Sequence, residues 1–451
     1  MAETTDDLAS HYIDQIGWGK YQWYIFQQCF LSYMSFQSLV ITPSYYASDL
    51  ENEWGISNKE KGIMSTMFQL GCIVGSYLWG SLSDHYGRTF AMKIDSIVIV
   101  FSCFIIIFSE NYIGLTILLF FFGFGVIGHL ALISVTFKEF CPTENLNLMP
   151  RLNLGAPSGG VIFCLAAVLI EIFNSQYIEN WKMIAIINFF CNLIISILKI
   201  DMDETPGFLV VHKKYSKAEE ILKKIQTYNG KDGLIPINLQ YDCEMNENGI
   251  PSQPKSHIKM LFSKTFVRST IFFCLVFFTT SFATVSVVMF MPEYLSQFPV
   301  ILSWIIIAIQ NLAGFPCLFF APYLVNSKLG RKYTLVYCQI IMSLAVILFA
   351  FIKQPILIII ITSVLMGVNT LSYASLFLFA VESYPIEVEN TAQGVFLASS
   401  GVGSLTGPLL AGVVLDWKNG HEISLVFFGM VFLICASCSF MLKETRQNTQ
   451  K

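Results

Sequence analysis

The chain has 451 residues, of which 54% are apolar and 13% are charged, and its formal net charge is −4. A soluble globular domain carries roughly 25% charged residues. This composition therefore excludes a soluble globule and indicates an integral membrane protein surrounded by a lipid bilayer. Because the basic residues are scattered and the net charge is slightly negative, we do not expect a nucleic acid as a partner.

The amino-terminal part of the chain predicts a first six-helix bundle. Residues 1–21 are polar and acidic and lack the basic start and apolar core of a signal peptide, so we expect a cytosolic amino-terminal segment. Apolar runs of spanning length follow and predict a bundle over residues 22–200. Its helices are predicted at residues 22–47, 61–82, 90–109, 113–137, 154–175 and 182–200.

A long polar stretch follows and divides the chain into comparable halves. Residues 201–266 form the predicted cytosolic linker. Within it, Ser216 and Glu219 have the spacing of a capping box, and apolar residues recur after them with helical period. The linker is therefore predicted to contain a short amphipathic helix.

The carboxyl-terminal part of the chain predicts a second six-helix bundle over residues 267–442, followed by a cytosolic tail at 443–451. The resulting fold class is all-α and membrane-integral, with twelve transmembrane helices in two pseudo-symmetric six-helix bundles. The helices of the second bundle are predicted at residues 267–291, 299–325, 332–352, 355–381, 391–415 and 422–442.

The distribution of basic residues predicts the orientation. Cytosolic loops of membrane proteins carry an excess of Lys and Arg. If both termini are in the cytosol, most of the basic residues of this chain lie on the cytosolic side. We therefore expect a multi-pass protein with both ends cytosolic, in the plasma membrane or an intracellular vesicle membrane. The basic residues left on the exterior are Lys59, Lys61, Lys182, Lys353 and Lys418.

Short repeated patterns support an internal duplication. The Gly-Arg pair at 87–88 recurs at 330–331, and the Glu-x-x-Pro-x-Glu pattern at 139–144 recurs at 382–387 with the same separation. A Glu-Thr pair follows the last helix of each half, at 204–205 and at 444–445. Equivalent places in the two halves indicate duplicated bundles, as is common in secondary transporters.

The loop after the second helix carries the motif Gly-x-x-x-Asp-x-x-Gly-Arg over residues 80–88. This motif resembles the signature of the major facilitator superfamily, whose fold packs two six-helix bundles around a central cavity. The resemblance implies that the cluster latches the bundles at the cytosolic side. We expect Gly80 to permit close helix approach and Gly87 a tight turn. In the second half, Ser327 occupies the position equivalent to Asp84, so this half lacks the acidic residue of the motif. The predicted latch and gating residues are Gly80, Asp84, Gly87, Arg88, Glu139, Gly330, Arg331, Glu382 and Glu387.

Other segments are similar to the synaptic vesicle glycoprotein family and the related organic ion and sugar transporters. They lie at residues 16–22, 53–57 and 123–128. That resemblance covers nearly the whole chain and implies a transporter, which we expect to act as a monomer. Relatives usually carry Arg at four places where this chain does not, which leaves open a non-transporting vesicle-membrane or receptor-like protein of the same fold. Those places are Leu119, Leu146, Gly207 and Glu389.

Polar residues within the predicted membrane helices indicate which side chains line a central cavity. Ionisable residues at the bilayer centre are costly and usually functional. The predicted helices place Asp95 only shallowly, so His129 is the only deep titratable group expected, and hydrogen bonding to a neighbouring helix is favoured over proton transfer for it. The predicted cavity residues are Gln37, His129, Asn311, Asn369 and Thr280.

The sequence thus predicts alternating-access transport of a small organic solute, either facilitative or weakly proton-linked. The expected solute is neutral or amphipathic, because no acidic residue is predicted at mid-membrane depth. No metal-spaced His set, nucleotide-binding loop or Ser-His-Asp arrangement is present. We therefore expect no enzyme activity, no metal and no cofactor.

Overall fold

The computed structural model describes residues 5–173, 178–231, 239, 258–263, 266–325, 329–384, 386–442 and 444. In these parts of the chain the regular secondary structure is helical. We call the end of the bundles that holds Arg88 and Arg331 the cytosolic end and the opposite end the exterior end, following the predicted orientation.

The first bundle consists of six long helices that pack on one another. A short helix, α1, precedes them at Thr5–Ile16. The long helices are α2 (Lys20–Trp54), α3 (Asn58–Tyr86), α4 (Arg88–Ile107), α5 (Tyr112–Phe140), α7 (Gly155–Phe173) and α8 (Asn180–Leu198). Between α5 and α7 lie a 3-10 helix at Thr143–Leu148 and the one-turn helix α6 (Met149–Leu152).

A cytosolic layer covers the end of this bundle. It contains α9 (Pro206–Val211) and α10 (Tyr215–Tyr228), whereas α11 (Ile258–Leu261) packs on the second bundle. Helix α10 is amphipathic, as predicted for the linker, and it buries Leu222 and Ile225. Helix α1 adds Ile13 and Ile16 to the same apolar cluster. The chain start is therefore packed against the linker, which the acidic composition of residues 1–21 did not indicate.

The second bundle has the same order of long helices. They are α12 (Val267–Met289), α14 (Val300–Leu312) with α15 (Gly314–Val325), α16 (Gly330–Phe351), α17 (Pro355–Glu382), α18 (Ile386–Leu415) and α19 (Gly420–Phe440), with the one-turn α13 (Met291–Tyr294) after α12. The single helix predicted at 299–325 is interrupted at Ala313. Pro316 explains the interruption, because it has no N–H for the carbonyl of Leu312.

Ten helices in the described ranges are long and apolar enough to cross a membrane. The two remaining long helices, α2 and α3, stand at the first and second predicted spans but are more polar. In α2 the extra polar side chains include Gln28, Ser32 and Ser35, and all three are buried in the protein rather than facing lipid. The all-helical, two-bundle membrane fold agrees with the prediction, whereas the count of twelve spans stays a prediction.

Small residues let the two bundles approach closely. Helix α3 crosses α18 and α7 crosses α14. At the first crossing, a Cβ on Gly62 would lie 2.8 Å from the carbonyl oxygen of Pro408, and a Cβ on Gly412 would overlap the backbone of Asn58. Side chains at these positions would push the bundles apart, so the crossing depends on glycine.

Candidate gates and substrate cavity

The Gly-Arg turn of the first bundle is braced by ion pairs. Gly87 has φ +118°, a conformation that side chains rarely adopt, and it separates α3 from α4. Arg88, the next residue, forms an ion pair with Asp84 and donates from Nε to Glu139 Oε1 over 3.1 Å. Its Nη1 also donates to Ser83 Oγ over 2.8 Å. The guanidinium thus ties the start of α4 to the cytosolic ends of α3 and α5.

The carboxylate of Glu204 caps the same turn. It accepts hydrogen bonds from the backbone N–H groups of Thr89 (3.0 Å) and Phe90 (3.2 Å). A negative group at a helix amino terminus satisfies free N–H groups and complements the helix dipole. A Cβ on Gly87 would overlap this carboxylate. Both the turn and the close carboxylate therefore require glycine.

The second bundle repeats the arrangement. Arg331 donates from Nη2 to Glu382 Oε1 over 2.8 Å, and Gly330 has φ +74°. Glu444 accepts from the backbone N–H groups of Arg331 (3.3 Å) and Lys332 (3.1 Å). The three sequence repeats therefore meet in space in each half. Ser327, Pro385 and the side chain of Glu387 lie outside the described residues.

Two predictions for the motif are not met in this conformation. The described contacts of Asp84 and Arg88 lie within the first bundle and do not latch it to the second, and Gly80 does not make the predicted close approach. A Cβ on Gly80 would meet nothing within 4 Å, so Gly80 does not provide close helix approach. The close contact of α3 with α5 is made farther from the cytosolic end. There, Cβ atoms on Gly71 and Gly75 would collide with the backbone of Phe120 and Phe124. Gly80 faces away from that contact, because it lies five residues beyond Gly75.

A buried lysine joins the bundles at the exterior end. The Nζ of Lys61 in α3 lies 2.5 Å from Glu293 Oε2 in α13 and 2.8 Å from Glu51 Oε2 at the end of α2. The side chain of Lys61 is 3% exposed. Close by, the hydroxyl of Ser44 donates to the carbonyl oxygen of Met289 over 2.5 Å. We call this set the exterior gate, and it is closed in this conformation.

Charges around Glu293 keep it ionised. Burial by itself raises the pKa of this carboxyl, but the hydrogen bond from His421 and the charge of Lys61 outweigh burial and hold the pKa at about 2. The Nε2 atom of His421 lies 3.5 Å from Glu293 Oε1. Glu293 therefore stays ionised at physiological pH, and its own titration does not open the gate.

A small central cavity lies directly inside the exterior gate. Its volume is about 30 Å³, enough for about two water molecules and too small for an organic solute. The two bundles are therefore drawn together around it. Its walls are uncharged and include Gln37, Ser44, Trp304, Gln310, Asn311 and Met366.

A second, smaller cavity continues into the second bundle, with a volume of about 10 Å³. Thr284, Gln310 and Asn369 line it. Thr284 Oγ1 donates to Asn369 Oδ1 over 3.3 Å. Gln310 lines both cavities, so the two cavities adjoin. The structure thus places three predicted residues, Gln37, Asn311 and Asn369, at the cavities.

The two other predicted cavity residues lie elsewhere. Thr280 contacts Cys435 Sγ (3.2 Å) and accepts from Gln339 Nε2 (3.2 Å) inside the second bundle. His129 lies inside the first bundle, where its Nδ1 is 2.7 Å from Asp95 Oδ2. Neither residue is among those that line the two cavities.

The expectation that His129 is the only deep titratable group is wrong. Asp95 and Lys199 are both 0% exposed and lie in the same cluster. Hydropathy places Asp95 near the start of the predicted helix at 90–109 and Lys199 near the end of the predicted helix at 182–200. The sequence therefore did not show that the two side chains are buried together. Gln310 was also missed, although its polarity at mid-helix depth was a usable signal.

The chain matches the family model described as sugar (and other) transporter over residues 20–450. It is 23% identical over 474 residues to the synaptic vesicle 2-related protein of Xenopus laevis, covering 99% of this chain and 83% of that protein. It is also 23% identical over 479 residues to organic cation/carnitine transporter 7 of Arabidopsis thaliana, covering 94% of this chain and 91% of that protein. An inward-open structure of the xylose transporter XylE from E. coli has the same fold, with a TM-score of 0.74, 16% identity and coverage of 94% of this chain and 97% of that one.

Proposed function

Since the chain belongs to the sugar (and other) transporter family of the major facilitator superfamily and is a secondary transporter of a small solute, we propose that its solute is a neutral or amphipathic organic molecule rich in hydrogen-bond donors. Transport proceeds by alternating access and is facilitative or weakly proton-linked. The single observation on which this rests is a pair of buried amide oxygens without partners at the central cavity.

Those oxygens are Gln310 Oε1 and Asn311 Oδ1. Neither has a hydrogen-bond partner among the described residues, and each side chain is only 4% exposed. A buried acceptor left unpaired costs about 1–3 kcal/mol. A solute hydroxyl or N–H group that donates to them removes this cost. The site therefore favours solutes with donors.

The absence of charge from the cavity walls argues against ionic solutes. In both cavities, every described lining residue is uncharged. An ion taken from water into such a site has no counterion and carries a large desolvation cost. Trp304 supplies an apolar face against which a ring or short carbon chain can pack.

Alternating access follows from how the gates are distributed. The exterior gate joins the two bundles, whereas the Arg88 and Arg331 networks each lie within one bundle. Breaking the Lys61–Glu293 pair separates the exterior ends while each bundle keeps its own bracing. The proposal includes a monomeric unit with both termini in the cytosol, because one chain supplies both walls of the cavity.

The test is thermal stabilisation of the purified protein by a panel of neutral, cationic and anionic solutes, since a ligand that prefers the folded state raises the melting temperature. We expect neutral donor-rich solutes to stabilise the protein. In Gln310→Met their dissociation constant should rise about five- to tenfold, as expected for one lost neutral hydrogen bond.

The matched control is Gln339→Met. Gln339 also has an unpartnered Oε1, but it lies in the second bundle outside both cavities. Its replacement should lower the starting melting temperature without changing the affinity for solute. Stabilisation by charged solutes alone, or equal affinity losses in both variants, would contradict the proposal.

A further inference from the structure

A chain of polar side chains runs through the core of the first bundle. His129 Nδ1 in α5 lies 2.7 Å from Asp95 Oδ2 in α4. The Oγ of the next residue, Ser96, lies 3.1 Å from Asp95 Oδ1 and 2.8 Å from the Nζ of Lys199 at the end of α8. Three helices thus contribute to one hydrogen-bonded cluster of an imidazole, a carboxylate, a hydroxyl and an ammonium group.

The cluster is fully enclosed by protein. Asp95 and Lys199 are 0% exposed, and His129 is 1% exposed. Gly128 makes the contact between α4 and α5 possible, because a Cβ there would lie 2.8 Å from Asp95 Oδ2. Buried charges inside a membrane bundle are expensive and persist where they serve a function. Apolar residues of similar volume would pack such a core at lower cost.

The hydrogen bonds and charges of the cluster determine the protonation state of His129 at rest. A carboxylate only accepts, so with Asp95 ionised the His129 ring donates from Nδ1. The negative charge of Asp95 then balances the positive charge of Lys199, and the imidazole is neutral. The Nε2 atom of His129 has no hydrogen-bond partner among the described residues. It carries a free lone pair, which is the position where a neutral imidazole takes up a proton.

Few other groups face this site. The thiol of Cys29 in α2 is close enough to act on the charge of Lys199. The indole of Trp79 in α3 donates its N–H to the carbonyl oxygen of Phe124 over 2.7 Å and does not titrate. Among the described residues, the titratable groups that act on His129 are Asp95 and Lys199, and Cys29 acts on Lys199.

We propose that this cluster is a proton-binding site that controls the transport cycle, with His129 as the residue that takes up the proton and Asp95 as its counterion. The proton adds to His129 Nε2 from water, and the same N–H bond breaks when the proton leaves. No other bond changes. The inference rests on the proposed transport function and deepens it, because it makes the cycle proton-linked.

Protonation has a conformational consequence. Asp95 is the only carboxylate in the cluster, so a protonated His129 and Lys199 share one negative charge and the site gains a net positive charge. A net charge in a dry interior is unfavourable. The protonated protein therefore favours a conformation in which the first bundle admits water or rearranges around Nε2. The closed conformation described above belongs to the neutral cluster.

The experiment needs no solute. Hydrogen–deuterium exchange is measured on the full chain in lipid nanodiscs at about pH 8 and about pH 5.5, a range that brackets imidazole titration, with correction for the intrinsic pH dependence of exchange. We expect exchange at the exterior ends of α3 and α12 to rise about threefold or more at the lower pH. In His129→Gln, which keeps a neutral side chain, the rise should disappear.

Two controls separate this role from a structural one. His212→Gln changes an imidazole directly after α9, outside the cluster, and should keep the full response. Titration of isotope-labelled histidines in the unmodified chain provides a second readout if His129→Gln fails to fold. The signal of His129 itself, rather than that of any one of the six histidines, should report a change of protonation state over the pH range in which exchange changes.

A pH-independent wild type, or an unchanged response in His129→Gln, overturns the inference. A His129 signal that does not change with the exchange does the same. If the pH response is present but neutral solutes do not stabilise the protein, the proposed substrate class fails while the proton site stands. The two failures are therefore distinguishable.

Discussion

The two oxygens of the Glu139 carboxylate have different surroundings. Its Oε1 accepts from Arg88, whereas its Oε2 is buried without a partner in the described part of the chain. A Cβ on Gly207 would lie 3.2 Å from that oxygen. The unpaired oxygen therefore faces a position at which this chain has no side chain to donate a hydrogen bond.

A small donor at position 207 should therefore stabilise the protein. Gly207→Ser places a hydroxyl beside Glu139 Oε2, and the new hydrogen bond to a buried charged group should add about 1.5 kcal/mol to the free energy of unfolding. Gly207→Ala is the control, since it reduces the entropy of the unfolded chain without adding a donor, an effect of about 0.4–1 kcal/mol. Thermal unfolding in detergent measures both. Equal stabilities of the Ser and Ala variants would show that the oxygen is already satisfied.

The surroundings of some residues could be predicted from the sequence, whereas those of others could not. Gly87 and Arg88 were identified by a motif whose geometry is local, since the turn, the ion pair to Asp84 and the helix start involve neighbouring positions. The contact between His129 and Asp95 joins two helices, and it depends on the rotation of each helix about its axis. Hydropathy does not encode that rotation when both helices are apolar on most faces.

At the level of single helices, the exterior end of α3 depends on the ion pair between Lys61 and Glu293. Because the pKa of Glu293 is held at about 2, below its usual range, its contribution to stability is fully present above the ordinary carboxyl pKa. The contribution is lost only as the pH falls through about 2. Titration of Glu293 therefore does not open the gate at mildly acidic pH, so an opening at about pH 5.5 has to come from another group, such as the His129 cluster.

Removing the charge of Glu293 should open the gate at neutral pH. Glu293→Gln removes the partner of the Lys61 ammonium in the other bundle and leaves the ammonium paired only with Glu51, so the expected loss is about 1–3 kcal/mol. Hydrogen exchange at the exterior end of α3 should rise strongly. Glu51→Gln is the control, because Glu51 pairs with Lys61 from the same bundle and is about half exposed. Similar exchange in both variants would contradict a gate that joins the bundles.

The long apolar helices were predictable from composition, but their ends and the cytosolic layer were not. Helix α2 continues to Trp54, beyond the predicted end at residue 47, because its exterior turns pack on protein rather than on lipid. In α1, Ala9, Tyr12, Ile13 and Ile16 recur at the spacing of one helix face. That signal was present in the sequence, but the acidic residues around it obscured it.

At the scale of the whole molecule, the two bundles meet where glycines allow their backbones to touch. Helices α3 and α18 cross at Gly62 and Gly412. Gly394 lies on the same helix as Gly412, but a Cβ there would meet nothing within 4 Å. The two positions on α18 therefore provide a matched pair for testing the crossing.

Gly412→Val should separate the bundles, because the branched side chain overlaps the backbone of Asn58. We expect a loss of stability of about 1–3 kcal/mol, as for overpacking of a tight contact, and faster exchange at the exterior gate. Gly394→Val should change the free energy of unfolding by less than about 1 kcal/mol. Thermal unfolding and hydrogen exchange measure the two effects. Equal losses in both variants would show that the crossing is not a packing constraint.

The duplicated bracing has a consequence for the ancestry of the chain. Each bundle supplies its own arginine, its own acceptor and its own capping carboxylate, at Arg88, Glu139 and Glu204 in the first and Arg331, Glu382 and Glu444 in the second. A half-length ancestor would have possessed this scaffold complete before the gene doubled. The Lys61–Glu293 pair joins one residue from each half. It could therefore be selected only after both copies were part of one polypeptide and could diverge.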